Sequence, residues 1–346
     1  MSALAFLLRH KVVLMASIAL FVFDVESSWV FAGVLVYVAF LAFASERASA
    51  ASPRPPAVSP LPALDVPEAA TTEERIGAID AWLARLQERK RFNGGVLIAC
   101  DGEPLLMRAY GHADPKGTRD LTVGTPFRLA SVSKQFTAAG VLTLVRDGLL
   151  ELDTDVTDVL PGLPYAGVTV RHLLNQTSGI PDIYAKLASR DKRALGKRLT
   201  IADVPRLLEK HARRPKARPG ARYEYSNTDY LLLAAVVEAV SEESFEAFLA
   251  RTLFGPLGMG HSRVWNLVSS DSFPERALDQ VRLPGFGAYV LDPLWFDGVA
   301  GDGAVFSSLE DLLTWERVWR EPALLPAELV EQCFRGPTLA DGQTSD

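Results

Sequence analysis

Residues 48–72 carry Pro53, Pro55, Pro56, Pro60, Pro62 and Pro67 among alanines and serines. A stretch of that composition cannot bury a core, and it is expected to form an extended, semi-rigid spacer. It confines any globular domain to the residues that follow. The sequence therefore divides into a hydrophobic N-terminal membrane or signal segment (residues 1–47), a Pro/Ala-rich linker (48–71) and a folded domain (72–346).

The N-terminal segment is interrupted. Residues 12–23 are apolar, Asp24 and Glu26 follow, and residues 29–44 are apolar again. Each run is shorter than the ~20 residues a straight spanning helix prefers. Arg9, His10 and Lys11 precede the first run and by the positive-inside rule hold that end in the cytoplasm. Ala48-Ser49-Ala50 resembles a small-residue cleavage site. Three readings stay open: a long signal sequence, an uncleaved single anchor, or a hairpin of two short spans. The first two place the domain on the periplasmic or extracellular side, with the membrane as a partner, and export is the favoured reading. The hairpin would leave the domain on the cytoplasmic face.

A net charge of −6 over 346 residues, with no dense basic stripe, argues against nucleic acid as a partner. The locally basic run between Lys210 and Arg222 is broken by Pro215 and Pro219 and reads as a solvated loop. Cys100 and Cys333 permit at most one disulfide and have no metal-ligand spacing. The histidines form no H-E-x-x-H cluster, so neither metal nor cofactor is expected. Nothing in the pattern fixes an oligomeric state.

Within the domain, Ile76, Ile79, Trp82, Leu83 and Leu86 recur at helical spacing. Asn93-Gly94-Gly95 ends that helix. Two short apolar runs, 96–99 and 105–110, flank Asp101-Gly102, which is a hairpin signal. Further helices are expected over 170–174, 230–240 and 245–253. Strands come early and helices fill the middle, which points to an α+β fold with a helical lobe and not to alternating βαβ units.

Ser131-Val132-Ser133-Lys134 lies at the head of one apolar helical run, whose stripe is Leu129, Val132, Phe136, Ala139, Leu142 and Leu144. Residues i and i+3 share a helix face, so the hydroxyl and the amine are within reach of each other. Serine becomes a nucleophile only when something takes its proton, and a desolvated lysine can do so. Ser189-Arg190-Asp191-Lys192 has the same spacing but lies among other cations with no apolar face, and it reads as a chance match. On its own the first motif is more readily read as a core helix carrying an incidental Ser and Lys.

A second constellation, Tyr223-Glu224-Tyr225-Ser226-Asn227, runs directly into the apolar helix at Tyr230. There Tyr225 could carry a proton to and from Ser131, and Asn227 could hydrogen-bond the lysine or a substrate amide. The two motifs in this order resemble the serine β-lactamase and penicillin-binding-protein superfamily, in particular its class-C-like branch of β-lactamases, D-stereospecific peptidases and esterases. The segment Phe127-Arg128-Leu129-Ala130-Ser131-Val132-Ser133-Lys134-Gln135 is similar to that branch's nucleophile segment. Residues 168–180, Gly255-Pro256-Leu257-Gly258-Met259 and residues 301–308 resemble later landmarks.

The resemblance implies a β-lactamase/transpeptidase-like fold, an antiparallel sheet flanked by helices plus a helical lobe. It implies a serine hydrolase whose catalytic residues are Ser131, Lys134, Tyr225 and Asn227. Ser131 would form an acyl-enzyme with a small-molecule or peptide acyl substrate: an ester, a D-amino-acid peptide or a β-lactam. The proton acceptor is Lys134, Tyr225 or the two as a coupled pair. Simple esters are favoured over β-lactams, because no carboxylate anchor of the penicillin-binding type is evident.

Two departures bear on this expectation. Gln176 stands where the family usually has histidine, so any hydrogen bond of that ring must be replaced. The third family motif, His-x-Gly or Lys-Thr-Gly, has no counterpart before Asp346. In the family its strand supplies one oxyanion-hole N–H. The expectation is therefore of a domain truncated in its C-terminal strands, poorly active and marginally stable. The alternative is a catalytically impaired fragment or a non-catalytic binding relative.

Overall fold

The computed structural model describes residues 61–64, 66, 70–184, 199–210, 214–265, 272–283, 287–290, 298–320 and 324–344. The N-terminal segment, most of the linker and the second Ser-x-x-Lys match lie outside the described residues. Leu64–Asp346 forms one compact unit.

In chain order the elements are α1 (Thr72–Glu88), β1 (Gly94–Cys100), β2 (Glu103–Tyr110), β3 (Phe127–Arg128), a 3-10 turn (Ala130–Ser133), α2 (Lys134–Arg146), α3 (Val156–Val159), α4 (Val170–Leu174), α5 (Asp203–Lys210) and α6 (Asn227–Ser241). Then come α7 (Phe245–Leu249), a π-helical turn (Ala250–Phe254), β4 (Arg263–Val264), β5 (Gln280–Leu283), β6 (Gly287–Val290), β7 (Val305–Ser307), α8 (Leu309–Val318) and α9 (Ala327–Cys333). Strand pairing is antiparallel throughout, in the groups β1-β2, β3-β7-β4 and β5-β6.

Helix α1 starts at a capping box: the Thr71 hydroxyl accepts from Glu74 N, and Glu74 Oε2 accepts from Thr71 N at 2.7 Å. Its buried Leu83 joins Leu106 and Tyr110 of β2 in a small cluster of its own, while Ile76, Ile79 and Trp82 are only partly buried. Asp101 and Gly102 both have positive φ, +53° and +80°, as a two-residue turn between right-twisted strands requires.

The main core lies between α2 and α6. Every residue from Leu231 to Val237 is buried, and Phe136 stacks on Trp315 of α8 with ring centroids 4.2 Å apart. A periodicity with no polar face marks α6 as a helix surrounded by protein.

The apolar stripe expected around Ser131 needs one correction. Val132 is 49% exposed, because residues 130–133 form a 3-10 turn and α2 begins at Lys134. Three residues per turn rotate Val132 off the face that Phe136 and Ala139 bury.

Side chains of the turn and of α2 also stitch them to the strand opposite. Ser133 Oγ accepts from Val305 N at 3.0 Å, and Thr137 Oγ1 donates to Gly301 O at 2.7 Å. Both groups are fully buried, so each bond also satisfies a polar atom that water cannot reach. Cys100 and Cys333 are both free thiols.

Candidate active site

Ser131 sits second in the 3-10 turn, immediately after Ala130, whose φ of +47° is unusual for a residue with a Cβ. That kink leaves Ser131 exposed, while Lys134, one turn on, is 7% exposed. The chain thus delivers the hydroxyl to solvent and the amine to the interior from one short segment.

Tyr225 and Asn227 arrive from the other side. Ser131 Oγ and Tyr225 Oη share a hydrogen bond of 2.8 Å. Lys134 Nζ donates to Ser131 Oγ at 3.4 Å, to Asn227 Oδ1 at 2.9 Å and to the main-chain oxygen of Asp302 at 2.9 Å. It also lies 5.0 Å from the Tyr225 ring centroid and 5.6 Å from that of Tyr230. Carbonyl acceptors and aromatic faces are the surroundings an ammonium makes favourable contacts with. All of the residues expected from the motifs, Ser131, Lys134, Tyr225 and Asn227, therefore meet at one point.

The loop after α4 explains how Tyr225 is held. Gln176 (φ +53°) and Gly179 (φ +71°) bend it, and Gly179 lies so close to Ala217 that a Cβ would stand 2.3 Å from its carbonyl oxygen. Main-chain bonds then tie the two segments together: Lys216 N to Gly179 O, Gly220 N to Thr177 O and Glu224 N to Gln176 O. The Gln176 side chain accepts from Ser226 N at 3.0 Å. Its amide oxygen thus ties the loop after α4 to the segment that carries Tyr225.

Acidic residues that the motifs did not single out surround this centre. Asp182 Oδ2 accepts from Asn227 N at 3.2 Å and Nδ2 at 3.3 Å, and its Oδ1 accepts from Tyr184 N at 2.8 Å. Burial pushes the Asp302 carboxyl up to about 6, against the pull of the Lys134 cation and a hydrogen bond from Tyr184, with Asp182 adding a like-charge push. Asp229 is fully buried, accepts from Ser178 Oγ at 2.6 Å, and is held by desolvation well above the usual carboxylate range. Asp182 lies just past the family-like stretch 168–180, and Asp302 lies inside the stretch 301–308. Position in sequence could have flagged both, but not what they touch.

Residues 79–343 match the β-lactamase family. A penicillin-binding protein of Bacillus subtilis is 34% identical over 271 residues, 75% of this chain and 59% of the relative. A D-aminopeptidase of Gluconobacter oxydans is 29% identical over 251 residues, 72% of this chain and 46% of the relative. The chain thus spans between about half and three-fifths of the length of these relatives. Among solved structures, a penicillin-binding protein from Bacillus halodurans superposes with a TM-score of 0.62 at 26% identity, covering 72% of this chain and 76% of that one. This chain belongs to the β-lactamase family, within the serine β-lactamase/transpeptidase superfamily of serine hydrolases, and it has the fold of that superfamily.

Proposed function

We propose that the protein is an acyl-enzyme serine hydrolase acting on esters, D-amino-acid peptides or amides, with β-lactam-type substrates less favoured. The observation that carries this reading is the contact of Ser131 Oγ with Tyr225 Oη at 2.8 Å while Lys134 is held on Asn227 and Asp302.

In this reading Ser131 Oγ attacks the acyl carbon, an Oγ–C bond forms, and the hydroxyl proton passes to Tyr225 Oη as the phenol hands its own proton on toward the leaving group. Lys134, fixed by its two carbonyl acceptors, stabilises electrostatically the negative charge that develops along this relay. The Ser131 N–H, in the first turn of a helix where such groups lack intrahelical partners, donates to the developing oxyanion. Collapse expels the leaving group, which carries away the proton relayed by Tyr225. Water then attacks the ester by the same route, releasing the acid and free Ser131. Asn227 holds the ammonium in place.

Fluorophosphonate labelling read by intact mass tests the reading. An adduct on the wild type and none on Ser131→Ala is the expected result. A wild type that unfolds cooperatively yet takes no label would instead support a non-catalytic binding relative. A panel of p-nitrophenyl esters and D-amino-acid amides then ranks the substrate classes.

A further inference from the structure

The contacts of Asp182 point beyond the four motif residues. We infer that Asp182 is a positioning residue: it fixes the Asn227 amide with its oxygen toward Lys134 and, through Tyr184, supports the segment that offers the lysine its other acceptor. This rests on the reading of Ser131 as nucleophile.

The physical reason lies in the near-symmetry of an amide. Turning the Asn227 side chain over exchanges Oδ1 and Nδ2 with almost no change of shape, so only its partners choose the orientation. In the observed state Nδ2 donates to the Asp182 carboxylate and Oδ1 accepts from Lys134 Nζ. In the flipped state an amino group would face the ammonium and a carbonyl would face the carboxylate. Both contacts would be repulsive, and both penalties come from charges. Removing the charge at 182 removes one of them and lowers the cost of turning the amide over.

The same carboxylate reaches the second acceptor. Asp182 Oδ1 takes the N–H of Tyr184, whose side chain hydrogen-bonds the Asp302 carboxyl. The main-chain oxygen of Asp302 is the group that accepts from Lys134. Asp182 therefore stands behind each of the carbonyls that hold the amine. The segment that carries the half-buried Asp182 is secured separately, by Ile183 N donating to Thr228 Oγ1 at 2.7 Å and by the Ser178–Asp229 bond.

A simpler role is also available to Asp182. By accepting from Asn227 N it caps the start of α6, where a negative charge is favourable, and that alone would make it structural. The two roles separate in a double-mutant cycle, because the cap uses the Asn227 main chain and the positioning uses its side chain.

The experiment measures fluorophosphonate labelling rates and thermal midpoints for full-length wild type, Asp182→Asn, Asn227→Ala and the double variant. Asn is the informative replacement, since its amino group opposes an N–H donor in either orientation. Labelling is expected to fall ~10²-fold in each single variant, with the double variant no slower than Asn227→Ala within about threefold. The loss of thermal midpoint from Asp182→Asn should be the same in both backgrounds. Labelling of Asp182→Asn within about threefold of wild type, or rate losses that multiply in the double variant, would overturn the positioning role.

Selective asparagine 15N NMR gives a readout that needs no activity. The Asn227 Nδ2 protons are expected to be slowly exchanging in the wild type and to lose that protection in Asp182→Asn. Unchanged protection overturns the inference even if labelling falls. If the wild type takes no label, the nucleophile reading fails, and this amide signal alone decides whether Asp182 orients Asn227.

Discussion

Gly301 is pressed against Tyr230: a Cβ at position 301 would stand 2.2 Å from the Tyr230 carbonyl oxygen and 2.8 Å from Ala234 Cβ. The contact is between main chains, so no rotamer change relieves it. Its φ of +106° is one that residues with a Cβ rarely adopt. The segment it begins lies between α2 and α6 and carries the carbonyl that accepts from Lys134.

Gly301→Ala is therefore expected to destabilise the domain by about 3 kcal/mol or more, as steric strain at a special backbone site does. Urea unfolding measures it. Labelling of Ser131 should fall further than the folded fraction explains, because the segment must move away from Lys134 to admit the methyl.

Tyr225 is 48% exposed, so the phenol oxygen contributes little to folding. Tyr225→Phe should leave the thermal midpoint within a few degrees of wild type. It should nevertheless slow acylation of Ser131 by ~10²–10⁴-fold, the range for removing a positioned proton carrier. Burst-phase kinetics with an activated ester separates this loss from any effect on deacylation. Acylation at the wild-type rate would remove Tyr225 from the mechanism and leave Lys134 as the base.

Phe136 is fully buried, two residues beyond Lys134, and packed on both Trp315 and Phe254. Phe136→Ala should cost ~3–5 kcal/mol, the transfer of the ring plus the cavity it leaves. Calorimetry would register the lower midpoint, and Phe136→Leu should recover a large part of it.

Asp302 gives a pH signature with a definite sign. Its carboxyl is pushed up to about 6 in the folded protein, above the ~3.9 of a free aspartate. Between these limits the native state binds a proton that the unfolded chain has released, so stability falls as pH rises. The contribution is complete below pH ~4 and is lost as pH climbs through about 6. Asp302→Asn removes that titration. The stability of wild type minus Asp302→Asn should fall from pH 4 to pH 7 by at most roughly 3 kcal/mol, less where water screens the group. Urea titrations across that range measure the difference, and a flat profile would contradict the assignment.

The grouping of the four candidate residues was legible because it is local on each side. Ser131 and Lys134 are bound by helical spacing, and Tyr225 and Asn227 by a short turn running into α6. The hairpin at Asp101-Gly102 was equally plain, since those residue types are the ones that tolerate positive φ. What the chain did not disclose depends on convergence of distant segments. Asp182 reaches Asn227 across forty-five positions, and the Asp302 contact with Lys134 uses a main-chain atom that every residue type shares. Val132 failed for a local reason: residues 130–133 form a 3-10 turn, which the pattern of apolar residues does not encode and which shifts the helical phase ahead of Lys134.

The dependence of Lys134 on the Asp302 carbonyl has a consequence for how such a cleft can diverge. No side-chain replacement at 302 can delete that acceptor, so substitution there alters charge while the amine keeps that carbonyl. Alanine scanning at 302 would report on the carboxyl that Tyr184 hydrogen-bonds and leave the main-chain anchor undetected. Changing the backbone amide itself, by amide-to-ester replacement of the 302–303 peptide, weakens that carbonyl as an acceptor and would expose it.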